Sequence, residues 1–167
     1  RVSQSFPGFQ FIVARAPGVE GAFYDQLLQE YSNVSYVTNQ TYELLQQARA
    51  ALVTSGTATL ETALFGVPEV VCYKGSFISY QVGKRVVKVK YISLVNLIMN
   101  KLVVQELIQH DLTPKNLTHE LQQLLTDGHR IAELKKDYET LRSLLNEGGN
   151  ASAKAAASII SYLRKGA

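Results

Sequence analysis

Ala50-Ala-Leu-Val-Thr54-Ser-Gly-Thr-Ala-Thr-Leu-Glu61-Thr-Ala-Leu-Phe-Gly66-Val-Pro68 is the stretch whose reading decides the fold. Its first five residues are a short, mostly apolar run, which predicts a buried strand. Ser55-Gly56 turns that strand into a helix, and Gly66 followed by Val67-Pro68 stops it, since glycine accepts the backbone twist that ends a helix and proline cannot continue one. Outward from this unit the same rhythm recurs. Phe9–Ala14 reads as a buried strand, followed by a helix near Ala22–Tyr31; Val34–Val37 is the next strand, followed by a short helix near Tyr42–Ala48. Glu69-Val-Val-Cys-Tyr73 is a fourth strand. Strands and helices that alternate through short connections imply a parallel sheet flanked by helices on both faces, an α/β domain.

The second half of the chain reads as helical. Thr113-Pro114 places a capping side chain ahead of a proline at the first helical position, and Leu117, Leu121, Leu124 and Leu125 form one apolar stripe. Ile131, Leu134, Tyr138, Leu141 and Leu145 repeat the pattern up to Gly148-Gly149, and a third helix runs from about Ala151 through Ala155, Ile159 and Leu163. Such stripes are read as core packing. No internal repeat or low-complexity linker interrupts the sequence, so residues 1–167 are taken as a single domain.

At 167 residues and 18.5 kDa, with 46% hydrophobic and 19% charged residues, the chain is large enough to bury a core and is not of disordered composition. Apolar runs such as Leu102-Val-Val104 fall far short of a bilayer span, and the opening Arg-Val-Ser-Gln has no secretory pattern. The one cysteine, Cys72, is flanked by Val70, Val71 and Tyr73 and reads as a buried strand thiol, not a nucleophile, in a reducing compartment. Asn-x-Ser/Thr triplets at Asn33, Asn39, Asn116 and Asn150 read as turn and cap residues. The net charge of +3 is unevenly spread. Between Glu69 and Glu106 there is no acid, while Lys74, Lys84, Arg85, Lys88, Lys90 and Lys101 make that segment +6 and leave −3 elsewhere. A field of this kind suits an anionic partner, or it is a solvated face balanced from elsewhere in the fold.

Chemistry is expected where the third strand meets its helix. Ligands of an open parallel sheet collect at the carboxyl ends of its strands, and the first turn of a helix offers unpaired N–H groups and the positive end of the helix dipole to a phosphate. Gly56 lets the backbone approach an anion, Ser55, Thr57 and Thr59 add hydroxyls, and Glu61 lies one turn along, within reach of a ribose diol. The plain alternative is that Ser55 and Thr57 cap the helix and Glu61 is solvated. Neither Gly-x-Gly-x-x-Gly nor Gly-x-x-x-x-Gly-Lys-Ser/Thr occurs. His110, His119 and His129 lack metal-ligand spacing, so neither a metal nor another cofactor is expected. Lys74–Lys88 mixes Phe77, Ile78, Val82, Val86 and Val87 with basic residues as an interfacial helix does, and no nucleic-acid motif accompanies it. In Lys90-Tyr-Ile-Ser-Leu-Val-Asn96-Leu, Asn96 is polar in an apolar run and either caps the next helix or faces a ligand.

Taken together, Ser55-Gly-Thr-Ala-Thr-Leu-Glu61-Thr-Ala-Leu, Val67-Pro-Glu-Val-Val-Cys-Tyr73-Lys, Lys90-Tyr-Ile-Ser-Leu-Val-Asn96-Leu-Ile and Val103-Val-Gln-Glu-Leu-Ile108-Gln resemble the lipid-A-disaccharide synthases, continuously from about Ala50 to Leu125. Val95 stands where that family commonly has proline. The resemblance implies the C-terminal, Rossmann-like half of a two-domain GT-B glycosyltransferase that moves a diacylglucosamine unit from its UDP donor to a diacylglucosamine phosphate acceptor, inverting the anomeric centre and releasing UDP. By position it implies that Ser55, Gly56, Thr57 and Thr59 receive the diphosphate and Glu61 the ribose. Asn96 is then a functionally important residue near the donor, Tyr73 and Lys74 line the site, and the loop Thr38-Asn39-Gln40 lies near the base. The acceptor site and catalytic base are expected in an N-terminal half absent from this chain. Lys84, Arg85 and Lys88 would face phosphate groups and the anionic surface of the inner membrane, on its cytoplasmic side. Ser-Gly-Thr…Glu alone also fits a UDP-N-acetylglucosamine epimerase or the lipid II transferase. A non-catalytic basic membrane-surface module is the rival from another class.

Overall fold

The computed structural model describes residues 1–54, 56–75, 90–147, 149 and 151–165. Five strands are described: β1 (Phe11–Arg15), β2 (Val34–Thr38), β3 (Ala51–Thr54), β4 (Glu69–Tyr73) and β5 (Gln105–Ile108). Between and after them run α1 (Gly21–Leu28), α2 (Thr41–Gln47), α3 (Thr57–Leu64), α4 (Leu94–Met99), α5 (Pro114–Thr126), α6 (Gly128–Glu147) and α7 (Ala151–Lys165). All strand pairs are parallel, as the strand–helix alternation predicts. They form two sheets, β1-β2 and β3-β4-β5. The fifth strand is an addition to the sequence reading. Its Gln105 and Glu106 hide a four-residue run that is too short and too polar for a periodicity signal.

β4 is the centre of the larger sheet, paired with β3 on one edge and β5 on the other. Val70 and Val71 are consecutive and both fully buried, so both faces of the strand are covered. α3 packs on β3 and β4, while α5 packs on β4 and β5. Leu121 and Leu124 of α5 and Leu134, Tyr138 and Leu141 of α6 are buried, as their helical spacing predicts. The stripe on α7 behaves differently: Ile159 and Leu163 are exposed instead of packed, so that face is amphipathic without a described partner.

The caps and turns follow local chemistry. The Thr113 hydroxyl accepts from Asn116 N ahead of Pro114. Asp127 Oδ1 accepts from His129 N and Arg130 N, and Gly66 leaves α3 with φ 76°. Asn33 ties Ser3 O and Phe9 O together, Asn39 takes φ 56°, and Asn116 donates to Asp111 O. These three asparagines are turn and cap residues as expected; Asn150 lies outside the described residues. Cys72 is a partly buried strand thiol, and burial pushes its pKa up to about 11, which removes it from thiolate chemistry near neutral pH.

Asn96 corrects the expectation of a donor-facing group. Its side chain is wholly buried, with Oδ1 accepting from Val103 N at 2.8 Å and Val104 N at 2.9 Å. Nδ2 donates to Val104 O and to Glu106 Oε1, both at 2.8 Å. An asparagine amide has two acceptor lone pairs and two donor hydrogens, and all four are used. Glu106 continues the bracket by accepting from Ile92 N and Ser93 N, while the Ser93 hydroxyl caps α4 by accepting from Asn96 N. The result fastens α4 and residues 92–93 to the chain entering β5. Asn96→Ala is expected to destabilise the fold by on the order of 3 kcal/mol, because it strands several buried backbone groups. Urea unfolding measures that loss, and UDP affinity of the folded fraction should stay within about twofold.

Glu69 opens β4 almost completely buried, and among the described residues neither carboxylate oxygen has a hydrogen-bond partner; the Tyr138 hydroxyl on α6 is buried nearby. Burial pushes Glu69 from its ordinary 4.5 up to about 9, so it is a neutral acid at pH 7. Burial and the nearby Glu69 also raise Tyr138. The unfolded chain ionises Glu69 above 4.5 while the folded chain holds the proton to about 9. Its contribution to stability is therefore full below 4.5 and is lost as pH rises through that window. The difference in unfolding free energy between the wild-type chain and Glu69→Gln should slope against the wild type from pH 5 to pH 9 and flatten above, as read by urea titrations at several pH values.

Candidate functional site

A cleft lies between the loop that follows β2 and the side of α3. Asn39, just past β2, Thr41 and Tyr42 at the start of α2, and Glu61 on α3 line a hollow of about 260 Å³. Asn39 stands in the left-handed region at φ 56°, a conformation asparagine tolerates better than most side chains. It ends β2 and turns the chain directly into α2. Tyr42 stacks on Phe65, with ring centroids 5.3 Å apart and 23° between planes, which fastens the start of α2 beyond the end of α3. Glu61 is half-buried on the cleft wall.

One turn before Glu61, α3 begins. Gly56 has φ 143° and ψ −161°, and among the described residues no side-chain hydrogen bond caps the helix. A Cβ built on Gly56 meets nothing within 4 Å. The backbone angle, not crowding, therefore reserves the position for glycine. Gly56, Thr57 and Ala58 are all exposed, so the positive end of the helix dipole opens to solvent where an anion can reach it. Thr59 departs from the sequence reading. It is fully buried, and its hydroxyl donates to Gly56 O at 2.8 Å. That hydroxyl shapes the turn and is not presented to a ligand. Ser55 lies outside the described residues.

Tyr73 ends β4 and Lys74 follows it, both exposed at the carboxyl end of that strand. Gln109 secures this corner: its N–H donates to Tyr73 O at 2.8 Å and its side chain to Gly75 O at 3.2 Å. Asn96 lies on the other side of the bracket described above and contributes no free group. Of the basic segment, Lys101 is paired with Asp137 at 2.8 Å, while Lys84, Arg85 and Lys88 lie outside the described residues. Among the described residues, no group of three or more His, Cys, Asp or Glu could hold a metal ion, and no helix is long and apolar enough to cross a membrane.

The structure therefore brings Glu61 to a wall that the sequence reading placed only loosely, through Thr38-Asn39-Gln40, while Gly56 and Thr57 lie one turn back along α3. It adds Thr41 and Tyr42, which were read only as the start of a helix. The signal for Tyr42 was an aromatic beside a strand-end loop, and only its contact with Phe65 gives it a place. A larger hollow of about 380 Å³, lined by Arg49, Pro68, Leu124 and Lys135 among others, sits where the chain enters β3 and β4. That is the edge opposite the one where ligands of parallel sheets gather.

Comparison with known proteins gives the family of the chain. The chain is 31% identical to the lipid-A-disaccharide synthase of Methylobacillus flagellatus over 95% of its length and 42% of that protein. It is 41% identical to that of Psychromonas ingrahamii over 78% of the chain and 35% of that protein, and 36% identical to that of Hahella chejuensis over 98% and 41%. The chain thus spans about two fifths of the length of these curated relatives. Residues 1–160 match the family described as Lipid-A-disaccharide synthetase, and the chain belongs to that family.

Proposed function

We propose that these residues are the C-terminal, donor-binding domain of a lipid-A-disaccharide synthase. The full enzyme joins a diacylglucosamine unit from its UDP donor to diacylglucosamine phosphate, inverting the anomeric centre and releasing UDP. The observation that carries the reading is the placing of Glu61 opposite Asn39, Thr41 and Tyr42, one turn along the helix that starts at Gly56. In this arrangement the backbone N–H groups of α3's first turn hold the diphosphate. The Glu61 carboxylate accepts from the ribose hydroxyls, and the Asn39–Tyr42 wall meets the base. Tyr73 and Lys74 border the same edge. As the donor bond breaks, negative charge grows on the departing UDP, and an oriented helix N-terminus stabilises it without a metal. The acceptor site and catalytic base belong to the N-terminal half, so the 167 residues alone bind UDP weakly and do not turn over. Sustained transfer by the isolated chain would overturn this division.

Titrating the chain with UDP and following backbone amides by NMR should move Gly56, Thr57, Ala58, Glu61 and Tyr42 and leave α6 unchanged. Glu61→Ala should weaken binding roughly tenfold, the worth of one charge-assisted hydrogen bond. Absence of shifts at α3 would sink the nucleotide reading.

The basic segment supports an anionic surface as the second contact. It carries +6 with no acid between Glu69 and Glu106, and phosphorylated lipid substrates reside in an anionic leaflet. On this proposal the enzyme sits peripherally on the cytoplasmic face of the inner membrane. The chain should co-sediment with phosphatidylglycerol vesicles at low salt. Replacing Lys84, Arg85 and Lys88 with glutamine should remove most of that binding, and unchanged sedimentation would count against the assignment.

A further inference from the structure

We infer that Gln109 is a positioning residue: it holds the backbone on either side of Lys74 and so sets where that ammonium stands at the carboxyl end of β4. The last backbone rung between β4 and the chain leaving β5 is the Gln109 N–H, which donates to Tyr73 O at 2.8 Å. Every second residue of a strand faces a given partner, so the next rung would run from Asp111 N to Gly75 O. The chain turns away before that. Gln109 stands in the left-handed region at φ 52°, and Asp111 N donates to Ile108 O at 3.0 Å instead. The Gln109 side chain supplies the lost donor, its Nε2 donating to Gly75 O at 3.2 Å. Glycine and asparagine suit a left-handed backbone better than glutamine does. Neither carries an amide long enough to reach Gly75 O, which gives the glutamine its reason.

One residue thus grips the carbonyls immediately before and after Lys74, whose side chain is exposed between them. The Tyr73 ring adds a third restraint. A Cβ on Gly75 would stand 3.0 Å from the Tyr73 hydroxyl and 3.3 Å from Cζ, so the ring lies against the Gly75 backbone and closes the corner. The place of this corner gives it a use. β3 pairs with β4 with Thr54 opposite Cys72, and Gly56 and Lys74 each lie two residues further on. The start of α3 and Lys74 therefore leave neighbouring strands at the same level. The inference rests on the nucleotide reading above, in which the N–H groups of α3's first turn take the diphosphate. A lysine is a point charge on a flexible four-carbon stem, so its hold on those oxygens depends on a fixed base. Gln109 fixes that base without touching the ligand.

A double-mutant cycle on the whole product of the gene, read by titration with UDP and with uridine, tests this role. Lys74→Met should weaken UDP binding roughly tenfold and Gln109→Asn roughly fivefold, while uridine, which lacks phosphate, should change by less than about twofold in either. Because Gln109 acts through Lys74, the double variant should bind UDP within about twofold of Lys74→Met alone. Gln109→Gly should match Gln109→Asn, since both suit the backbone and neither spans to Gly75 O. Unchanged UDP affinity in both Gln109 variants, equal losses for uridine and UDP, losses that multiply in the double variant, or unfolding of both variants would each overturn the inference. A wild type that binds no UDP sinks the nucleotide reading and this role with it, whereas a wild type that binds UDP with independent losses sinks this role alone.

Discussion

Covering β4 on both faces is the constraint from which the rest of the structure follows. Consecutive residues of a strand point to opposite sides, so burying Val70 and Val71 together requires helices above and below. α3 and α5 meet that requirement, and α6 closes over them through Leu134, Tyr138 and Leu141. With β3 and β5 on its edges, β4 orients three carboxyl ends toward one rim, and chemistry collects on that rim because helices begin there with their N–H groups free. The same enclosure is hard on any polar group at the strand's start. Glu69 has no hydrogen-bond partner among the described residues and keeps its proton to about 9, since burial disfavours the charged carboxylate.

Two polar residues that look alike in sequence have opposite fates for a local reason. Glu61 and Asn96 each sit in a mostly apolar helical run. Glu61 lies one turn into a helix whose start is open, so its carboxylate meets the cleft. Asn96 lies in a six-residue helix pressed against the chain that enters β5, where the backbone groups of Val103 and Val104 face its side chain. A buried backbone group must find a partner, and an amide with donors and acceptors on one short stem answers Val103 and Val104 at once. Glu106 closes the network from the next strand. Thr59 is a smaller case, its hydroxyl turned back onto Gly56 O. At these positions polarity marks the repair of a turn as much as the reception of a ligand.

Much of the fold was legible in order along the chain. Strand-length apolar runs, the Gly66-Val67-Pro68 stop, the Thr113-Pro114 start and the leucine stripes of α5 and α6 rest on contacts within a few residues, so periodicity and capping chemistry are enough to find them. Sequence by itself therefore determined a parallel α/β domain, a helix starting at Gly56 behind a strand, and a glutamate one turn along it. Tertiary structure alone decided the rest. It recruited Gln105–Ile108 as a strand by pairing it with β4, left α7's apolar face uncovered, joined Tyr42 to Phe65, buried Asn96 and Glu69, and separated the strands into two sheets. Each of these outcomes depends on which distant residue lies across an interface. A pattern of hydrophobicity says which side of an element seeks cover, but only the packed chain says what covers it.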